Sequence, residues 1–326
     1  MRKKIKDSEL ITVYTMMLKI RLFEERIVQL YPQQNLKTPV HLYIGQEAIA
    51  AGICHNLKKE DCCFTNHRCH GHCIAKGMSL PSIMAELYGK KTGCCKGKGG
   101  SMHLADPKYG IFATSAIVGG SIPLAVGAAL SLKFRKSKNI AVVFFGDGAV
   151  DEGVFYESLN FAALKKLPIL FVCENNFYAT NSPLSARQPL DNIFKKGNIF
   201  GIPGVRCDGN DAIEILDTSR RLIENIRKGS GPSLVECRTY RWKSHVGPDS
   251  DVEKGCRPLS ELNSWIKKCP IKKLERLLIK HKILTIGKIE AIRQQIIDQI
   301  NVAQSFAQKS DFPNKEELFE GVYWKD

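Results

Sequence analysis

The sequence predicts an α/β fold, a parallel β-sheet with helices on both faces and further helices at its periphery. Three observations carry that prediction. Residues 140–145 (IAVVFF) form a short unbroken apolar run, the pattern of a strand buried on both faces. Residues 168–173 (PILFVC) repeat it after a helical stretch at about 152–165, giving a strand–helix–strand unit. Residues 233–238 (SLVECR) supply a third strand after a helix at 211–228, and such alternation belongs to a parallel sheet covered on both sides.

The other elements follow from periodicity and end signals. Leu10, Tyr14, Met17, Leu18, Ile20 and Val28 recur at near-helical spacing, so residues 7–31 read as an amphipathic helix. A loop at 32–39 runs from Pro32 to Pro39. A second helix starts near Gln46 and carries Ala48, Ile49, Ala51 and Ile53. Residues 61–77 are dense in cysteine and histidine. Ser79 as N-cap and Pro81 in the first turn open a helix over 79–88. The stretch 89–101 (GKKTGCCKGKGGS) is a glycine–lysine loop that needs a ligand or partner to hold one conformation. Ala125, Gly127, Ala128 and Ala129 mark a small-residue helix over 121–135 that can lie close to a sheet, and residues 285–309 form a C-terminal helix. No repeat or linker divides the chain. The expected organisation is one domain over 1–326, with an N-terminal helical extension (about 1–40) and a C-terminal helical tail (about 260–326).

Composition narrows the function classes. The 326 residues are 44% hydrophobic, enough for a sizeable core. No run of about 18 uncharged apolar residues is present, so a membrane span is not expected. Residues 1–6 are basic but no apolar signal segment follows, which makes a cytoplasmic location the expectation. The twelve cysteines include the neighbours Cys62–Cys63 and Cys94–Cys95 and read as reduced thiols rather than a disulfide framework. The net charge of +15 is spread along the chain without interleaved aromatic residues. It reads as a lysine-rich solvated surface, and nucleic-acid binding is not favoured.

The centre of the chain carries the chemistry. The strand ending at Phe145 runs into Gly146-Asp147-Gly148, and the next ends at Glu174-Asn175-Asn176. Asp147 and Asn176 therefore follow neighbouring strands at the carboxyl edge of the sheet, where open α/β folds bind ligands. A carboxylate and an amide oxygen suit magnesium, which prefers oxygen ligands and shares them with phosphate oxygens. The flanking glycines let backbone approach a diphosphate, and the following helix N-terminus favours anions. The bland alternative is an Asp-capped turn followed by an Asn turn.

This strand–GDG–helix–strand–NN pattern resembles the thiamine-diphosphate-binding motif of pyruvate dehydrogenase, transketolase and pyruvate decarboxylase. Further segments resemble the alpha subunits of pyruvate, branched-chain and acetoin dehydrogenases: HLYIGQEA (41–48), HRCHGH (67–72), KGKGGSMHLAD (96–106) and IVGGSIPLAVGAA (117–129). The resemblance runs from about residue 40 to 245, and His67-Arg68 with His70-Gly71-His72-Cys73 bring the acetoin-type branch nearest. It implies thiamine diphosphate and Mg2+ as cofactors. Asp147, the Asn176 side chain and the Tyr178 carbonyl would hold the metal, and the Gly148 and Ala149 amides would contact the diphosphate. Arg68 would pair with diphosphate oxygens through its fork. His67 stands where many relatives have tyrosine and would hydrogen-bond the same group. Ala116, where relatives often have glycine, and Val118, an apolar wedge, would face the aminopyrimidine. His245 and His41 would be the catalytic histidines near the substrate. Arg241 and Lys243 make the His245 segment basic, suiting an anionic substrate or cofactor. Val246 follows His245 where mammalian pyruvate dehydrogenases carry a regulatory serine, so that position cannot be phosphorylated.

The resemblance also implies what a second chain supplies. The activating glutamate lies on a pyrimidine-binding domain, and only one α/β unit is legible here. The expected partner is a beta subunit in a two-alpha two-beta heterotetramer, with a lipoyl acyltransferase as possible acceptor of the acyl unit. The expected activity is that of a thiamine-diphosphate-dependent oxidoreductase cleaving a 2-oxo acid such as pyruvate, or acetoin. Within the same chemistry, a carboligase placing a two-carbon acyl unit on an aldehyde, ketone or sugar nucleotide is the alternative. Outside it stand a zinc site from Cys62, Cys63, His67, Cys69, His70, His72 and Cys73, whose spacing lacks paired CxxC motifs, and a basic nucleic-acid-binding protein.

Overall fold

The structure, a computed structural model, describes residues 5–321. Its strands are β1 (Cys62–Asn66), β2 (Ile111–Ser115), β3 (Ala141–Gly146), β4 (Ile169–Asn175), β5 (Tyr178–Ala179), β6 (Ser182–Pro183), β7 (Gly204–Asp208) and β8 (Ser233–Arg238). Six of them form one sheet in the order β2-β1-β3-β4-β8-β7, and every pairing is parallel. The short β5 and β6 pair antiparallel as a separate hairpin. The helices are α1 (Asp7–Leu30), α2 (Glu47–His55), α3 (His70–Ala75), α4 (Leu80–Leu87), α5 (Ser121–Phe134), α6 (Gly153–Leu164), α7 (Leu184–Arg187), α8 (Ala212–Arg227), α9 (Leu259–Lys267), α10 (Pro270–Lys280) and α11 (Ile286–Lys309).

Period-2 alternation explains why the central strands are apolar throughout. In β3 and β4, Val142, Phe144, Leu170 and Val172 face a core built with α1, α2, α4, α8 and α11. Ala141, Val143, Phe145, Ile169, Phe171 and Cys173 face a second core built with α5 and α6. Each strand thus buries both faces, as the sequence runs require. The amphipathic stripe of α1 delivers Tyr14, Met17, Ile20, Phe23 and Ile27 fully into the first core. Helix ends match their signals: Ser79 caps α4 by accepting from the Ser82 amide, and Asp211 caps α8 by accepting from Ile213 and Glu214. No described helix is long and apolar enough to cross a membrane.

Five strands (β1, β2, β5, β6 and β7) and two short helices (α3 and α7) were not anticipated. β1, β2 and β7 are five residues each, and β5 and β6 two each, whereas α9 and α10 lie within the stretch expected as a C-terminal helical tail. β1 explains part of the cysteine-rich segment: Cys62 and Cys63 are strand residues buried in the sheet, where cysteine serves as a small apolar side chain. All twelve cysteines are free thiols. The loop at 89–101 is also held differently from expectation. Within the chain itself, the buried carboxylate of Glu86 accepts the amides of Cys95, Gly97, Gly99 and Gly100.

Candidate active site

Sheet order decides where a site can form. β1 and β2 lie to one side of β3, while β4, β8 and β7 lie to the other, so the connections leave in opposite directions at β1 and β3. A crevice opens at the carboxyl ends of strands at such a switch point. His67 and Arg68 follow directly on β1, Asp147 and Gly148 on β3, and Asn176 on β4. Gly146 pairs in register with Glu174, which sets Asp147 and Asn176 beside one another across the sheet edge.

A cavity of about 400 Å³ occupies this edge. Its wall includes His41, His67, Arg68, Ala116, Val118, Asp147, Gly148, Ala149, Asn176, Tyr178 and His245, residues from six separate parts of the chain. Arg241 is the one anticipated residue that does not reach it. Its guanidinium is fully buried behind the wall, bonded to Asp251 at 2.5 Å, to the Lys243 carbonyl at 2.9 Å and to the Thr180 carbonyl. Thr180 lines the cavity, so Arg241 holds the β5–β6 turn in place rather than presenting its charge to a ligand. Burial and the neighbouring Arg257 push the Arg241 guanidinium below its ordinary value, and Asp251 opposes them.

The oxygen donors are arranged for a cation. The amide nitrogen of Asn176 donates to Gln46 at 3.1 Å, which leaves its oxygen turned toward the Tyr178 amide and the site. Phe177 between them has φ of 71°, a left-handed conformation that a bulky residue rarely adopts, and this turn separates Asn176 from Tyr178. Asp147 is buried, and burial lifts its carboxyl above the ordinary value although Arg187 acts against the shift. Arg187, at the end of α7, pairs with Asp147 and with Asp151. A buried carboxylate that takes an internal guanidinium as counter-ion is a position that requires positive charge. Gly148 is needed at close range, because a Cβ there would lie 2.8 Å from that of Ala179.

A complementary demand comes from Arg68. It is buried, it donates to the carbonyls of Leu42 at 2.8 Å and His245 at 3.3 Å, and no described acidic residue forms an ion pair with it. Desolvation followed by the charge of Arg241 pushes it down to about 9. Glu24 and Glu174 oppose the shift from a distance, but a buried guanidinium on a cavity wall with no carboxylate paired to it is a site for an anion. The oxygen donors and this cation together fit a magnesium diphosphate group.

The three cavity histidines are neutral. Burial first, and then the charge of Arg68, depresses His41 to about 3, His67 to about 2 and His245 to about 4. The histidines of the cysteine-rich stretch are structural by comparison. His70 is held between Glu24 at 3.0 Å and Ser101 at 2.8 Å, and His72 between Thr65 at 2.8 Å and Glu174 at 2.9 Å. With Cys69 and Cys73 also buried, residues 62–73 do not gather as a zinc site; of them only His67 belongs to a described group with metal-ligand geometry. Gln46 and Arg187 were missed in the sequence. Gln46 stands inside the HLYIGQEA segment, whereas nothing around Arg187 signals its role.

The profile of the family described as dehydrogenase E1 component matches residues 14–316. The chain is 40% identical to the alpha subunit of acetoin:2,6-dichlorophenolindophenol oxidoreductase from Bacillus subtilis (strain 168), over 97% of this chain and 94% of the relative. It is 37% identical to the chloroplastic pyruvate dehydrogenase E1 component subunit alpha-3 of Oryza sativa subsp. japonica, over 97% of this chain and 76% of that one. It is 35% identical to the pyruvate dehydrogenase E1 component subunit alpha of Rickettsia bellii (strain RML369-C), over 98% and 97%. Identities this close do not by themselves separate the two substrates.

Proposed function

Because this chain belongs to the dehydrogenase E1 component family, we propose that it is the alpha subunit of a thiamine-diphosphate-dependent dehydrogenase that cleaves a 2-oxo acid such as pyruvate, or acetoin. The observation that carries this reading is the pairing of demands on one cavity wall: Asp147 requires a cation and Arg68 requires an anion. Asp147, the Asn176 amide oxygen and the Tyr178 carbonyl hold Mg2+. The amides of Gly148 and Ala149 and the Arg68 fork hold the diphosphate, with His67 as a neutral hydrogen-bonding neighbour. Ala116 and Val118 lie along the remaining wall, where the aminopyrimidine fits.

When bound, thiamine diphosphate supplies the electron sink that lets a carbonyl carbon react as a nucleophile. The protein side of the chemistry follows from charge. His41 and His245 are unprotonated near pH 7, so each orients a substrate oxygen through a neutral N–H and can accept a proton, but neither offers a standing positive charge. The fixed positive charge at the site is that of Arg68.

The chain contributes one half of the catalytic apparatus. A beta subunit supplies the pyrimidine-side glutamate, in a two-alpha two-beta assembly, and a lipoyl acyltransferase takes the acyl unit. Ile117 and Val118 at the cavity are exposed at 71% and 49% in the isolated chain, apolar surface of the kind a second subunit covers. The test is to co-express the chain with its beta subunit and offer pyruvate, a branched-chain 2-oxo acid and acetoin with an artificial electron acceptor. Oxidation of one donor supports the reading. Carbon–carbon ligation to an added aldehyde without oxidation would replace it with the carboligase reading, and binding of the cofactor without turnover of any donor would overturn the substrate assignment.

A further inference from the structure

The thiols of this chain are not equivalent. Nine are buried, and only Cys94, Cys95 and Cys256 reach the surface in part. Cys94 and Cys95 are the two central residues of a turn in the glycine–lysine loop, closed by the Lys96 amide donating to the Gly93 carbonyl at 3.0 Å. Their sulfurs lie within 4.8 Å of each other and of a Glu86 oxygen. Both Glu86 oxygens already accept loop amides, which leaves the two sulfurs to react. The loop folds tightly over Cys95: a Cβ on Gly99 would lie 3.1 Å from that of Cys95, and the Cys95 S–H donates to the His103 carbonyl at 3.1 Å.

We propose that Cys94 and Cys95 form a reactive dithiol, a modification site apart from the cofactor cavity, which low-molecular-weight disulfides such as oxidised glutathione convert to a disulfide between the two neighbours. The step is thiol–disulfide exchange. Cys95 loses its proton to solvent, and its thiolate attacks one sulfur of the incoming disulfide. A mixed disulfide forms and one small thiolate leaves. The Cys94 sulfur, once deprotonated, attacks the Cys95 sulfur, closes the new bond and expels the second small thiolate. Two protein thiols are oxidised, and one small disulfide is reduced to two thiols. The order follows from the pair itself. The Cys94 S–H donating to Cys95 holds Cys95 below the ordinary thiol value, although burial and Glu86 act against it. Donating that bond, and then burial, lifts Cys94. Cys95 therefore attacks and Cys94 resolves. The consequence runs through Glu86. Consecutive Cα atoms lie about 3.8 Å apart, closer than the range of about 4.4–6.8 Å usual for a disulfide, so closing the ring turns the peptide unit between the two residues. The N–H of that unit is the Cys95 amide, which donates to Glu86 Oε2 at 2.8 Å. Oxidation draws this amide off the carboxylate and loosens the loop that leads into Met102 at the cavity wall. The same strain makes the bond easy to reduce, so the modification is reversible. The site does not depend on the cofactor assignment.

The test incubates the full chain with oxidised glutathione, alkylates it without reduction, digests it with trypsin and weighs peptide 92–96. The expected product has lost two hydrogens, and dithiothreitol restores them. Cys256, half-exposed and with no cysteine beside it in sequence, is the internal control and stops at the mixed disulfide. Cys94→Ser should accumulate glutathione on Cys95, whereas Cys95→Ser should slow modification of Cys94 about tenfold or more. In the oxidised parent, the Cys95 amide and its neighbours in the loop should exchange hydrogen about 5- to 150-fold faster. A parent pair that stays reduced, whatever Cys256 does, would overturn the proposal. So would a pair that stops at the mixed disulfide, or a disulfide from either residue to a buried cysteine. Unchanged loop exchange in the fully oxidised chain would overturn the coupling to Glu86.

Discussion

Replacing Glu86 by glutamine probes how the glycine–lysine loop is held. The Glu86 side chain is 1% exposed. Its Oε2 accepts the amides of Cys95 at 2.8 Å and Gly97 at 2.9 Å, and its Oε1 those of Gly99 at 2.8 Å and Gly100 at 3.1 Å. A carboxylate offers about four lone-pair directions, and all are in use. In the Glu86→Gln variant one oxygen becomes an amide nitrogen, a donor facing two donors. Two N–H groups lose their acceptor at about 1–3 kcal/mol each, or about 2–6 kcal/mol in total. Much of the loop is half-exposed, so the loss should appear as local opening rather than global unfolding. Hydrogen exchange followed by mass spectrometry reads this directly. Amides in 93–101 should exchange about 30-fold to 10⁴-fold faster, while those of β3 and β4 keep their protection. Unchanged exchange in the loop would refute the reasoning, and so would a loss distributed through the sheet. The consequence reaches the site, because the loop runs straight into Ser101 and Met102, and Met102 lines the cavity.

Three further outcomes follow from the geometry. Gly71→Ala places a Cβ 2.3 Å from the ring of buried Tyr43, which is itself bonded to Glu174, and should cost about 1–3 kcal/mol or more in a urea titration; Gly127→Ala in α5, with nothing within 4 Å, should instead stabilise by up to about 1 kcal/mol. Arg187→Ala leaves Asp147 buried without its counter-ion, so the melting temperature of the metal-free chain should fall and added Mg2+ should restore more of it than in the parent; an equal Mg2+ response in both would count against the assignment. The depressed values of His41, His67 and His245 mean that the unfolded chain binds more protons than the folded one below the ordinary histidine value of about 6.5. Stability from these groups is present above that pH and is lost as pH falls toward 4 and below, with unfolding at pH 5 taking up close to three protons; the pH dependence of the urea midpoint measures this, and His67→Phe should reduce the uptake by about one proton.

The central strands were legible because both of their faces are buried, which writes burial into the sequence as an unbroken run. β1, β2 and β7 were not. Five residues leave no room for a period, and in β1 two positions are filled by Cys62 and Cys63, whose small side chains carry no strand signal. The histidine cluster shows the same difficulty from the other side. Sequence density drew attention to 62–73, whereas the rings that meet come from residues 41, 67 and 245, which only the family resemblance had assigned to one site. Asp147, Gly148 and Asn176 were legible because each follows directly on a recognisable strand. Arg187 and the backing role of Arg241 depend on side chains crossing between elements, which spacing does not encode. Glu86 was hidden for a related reason: a carboxylate inside an apolar helix gives no sign that four amides of a later loop will close around it.

The most direct test of the account is a calorimetric titration of thiamine diphosphate, with and without Mg2+, into the chain and into its Asp147→Ala variant. The account predicts that Mg2+ strengthens binding to the parent chain and that this dependence disappears in a variant whose fold is intact. A variant that binds thiamine diphosphate with the same Mg2+ dependence as the parent would contradict it.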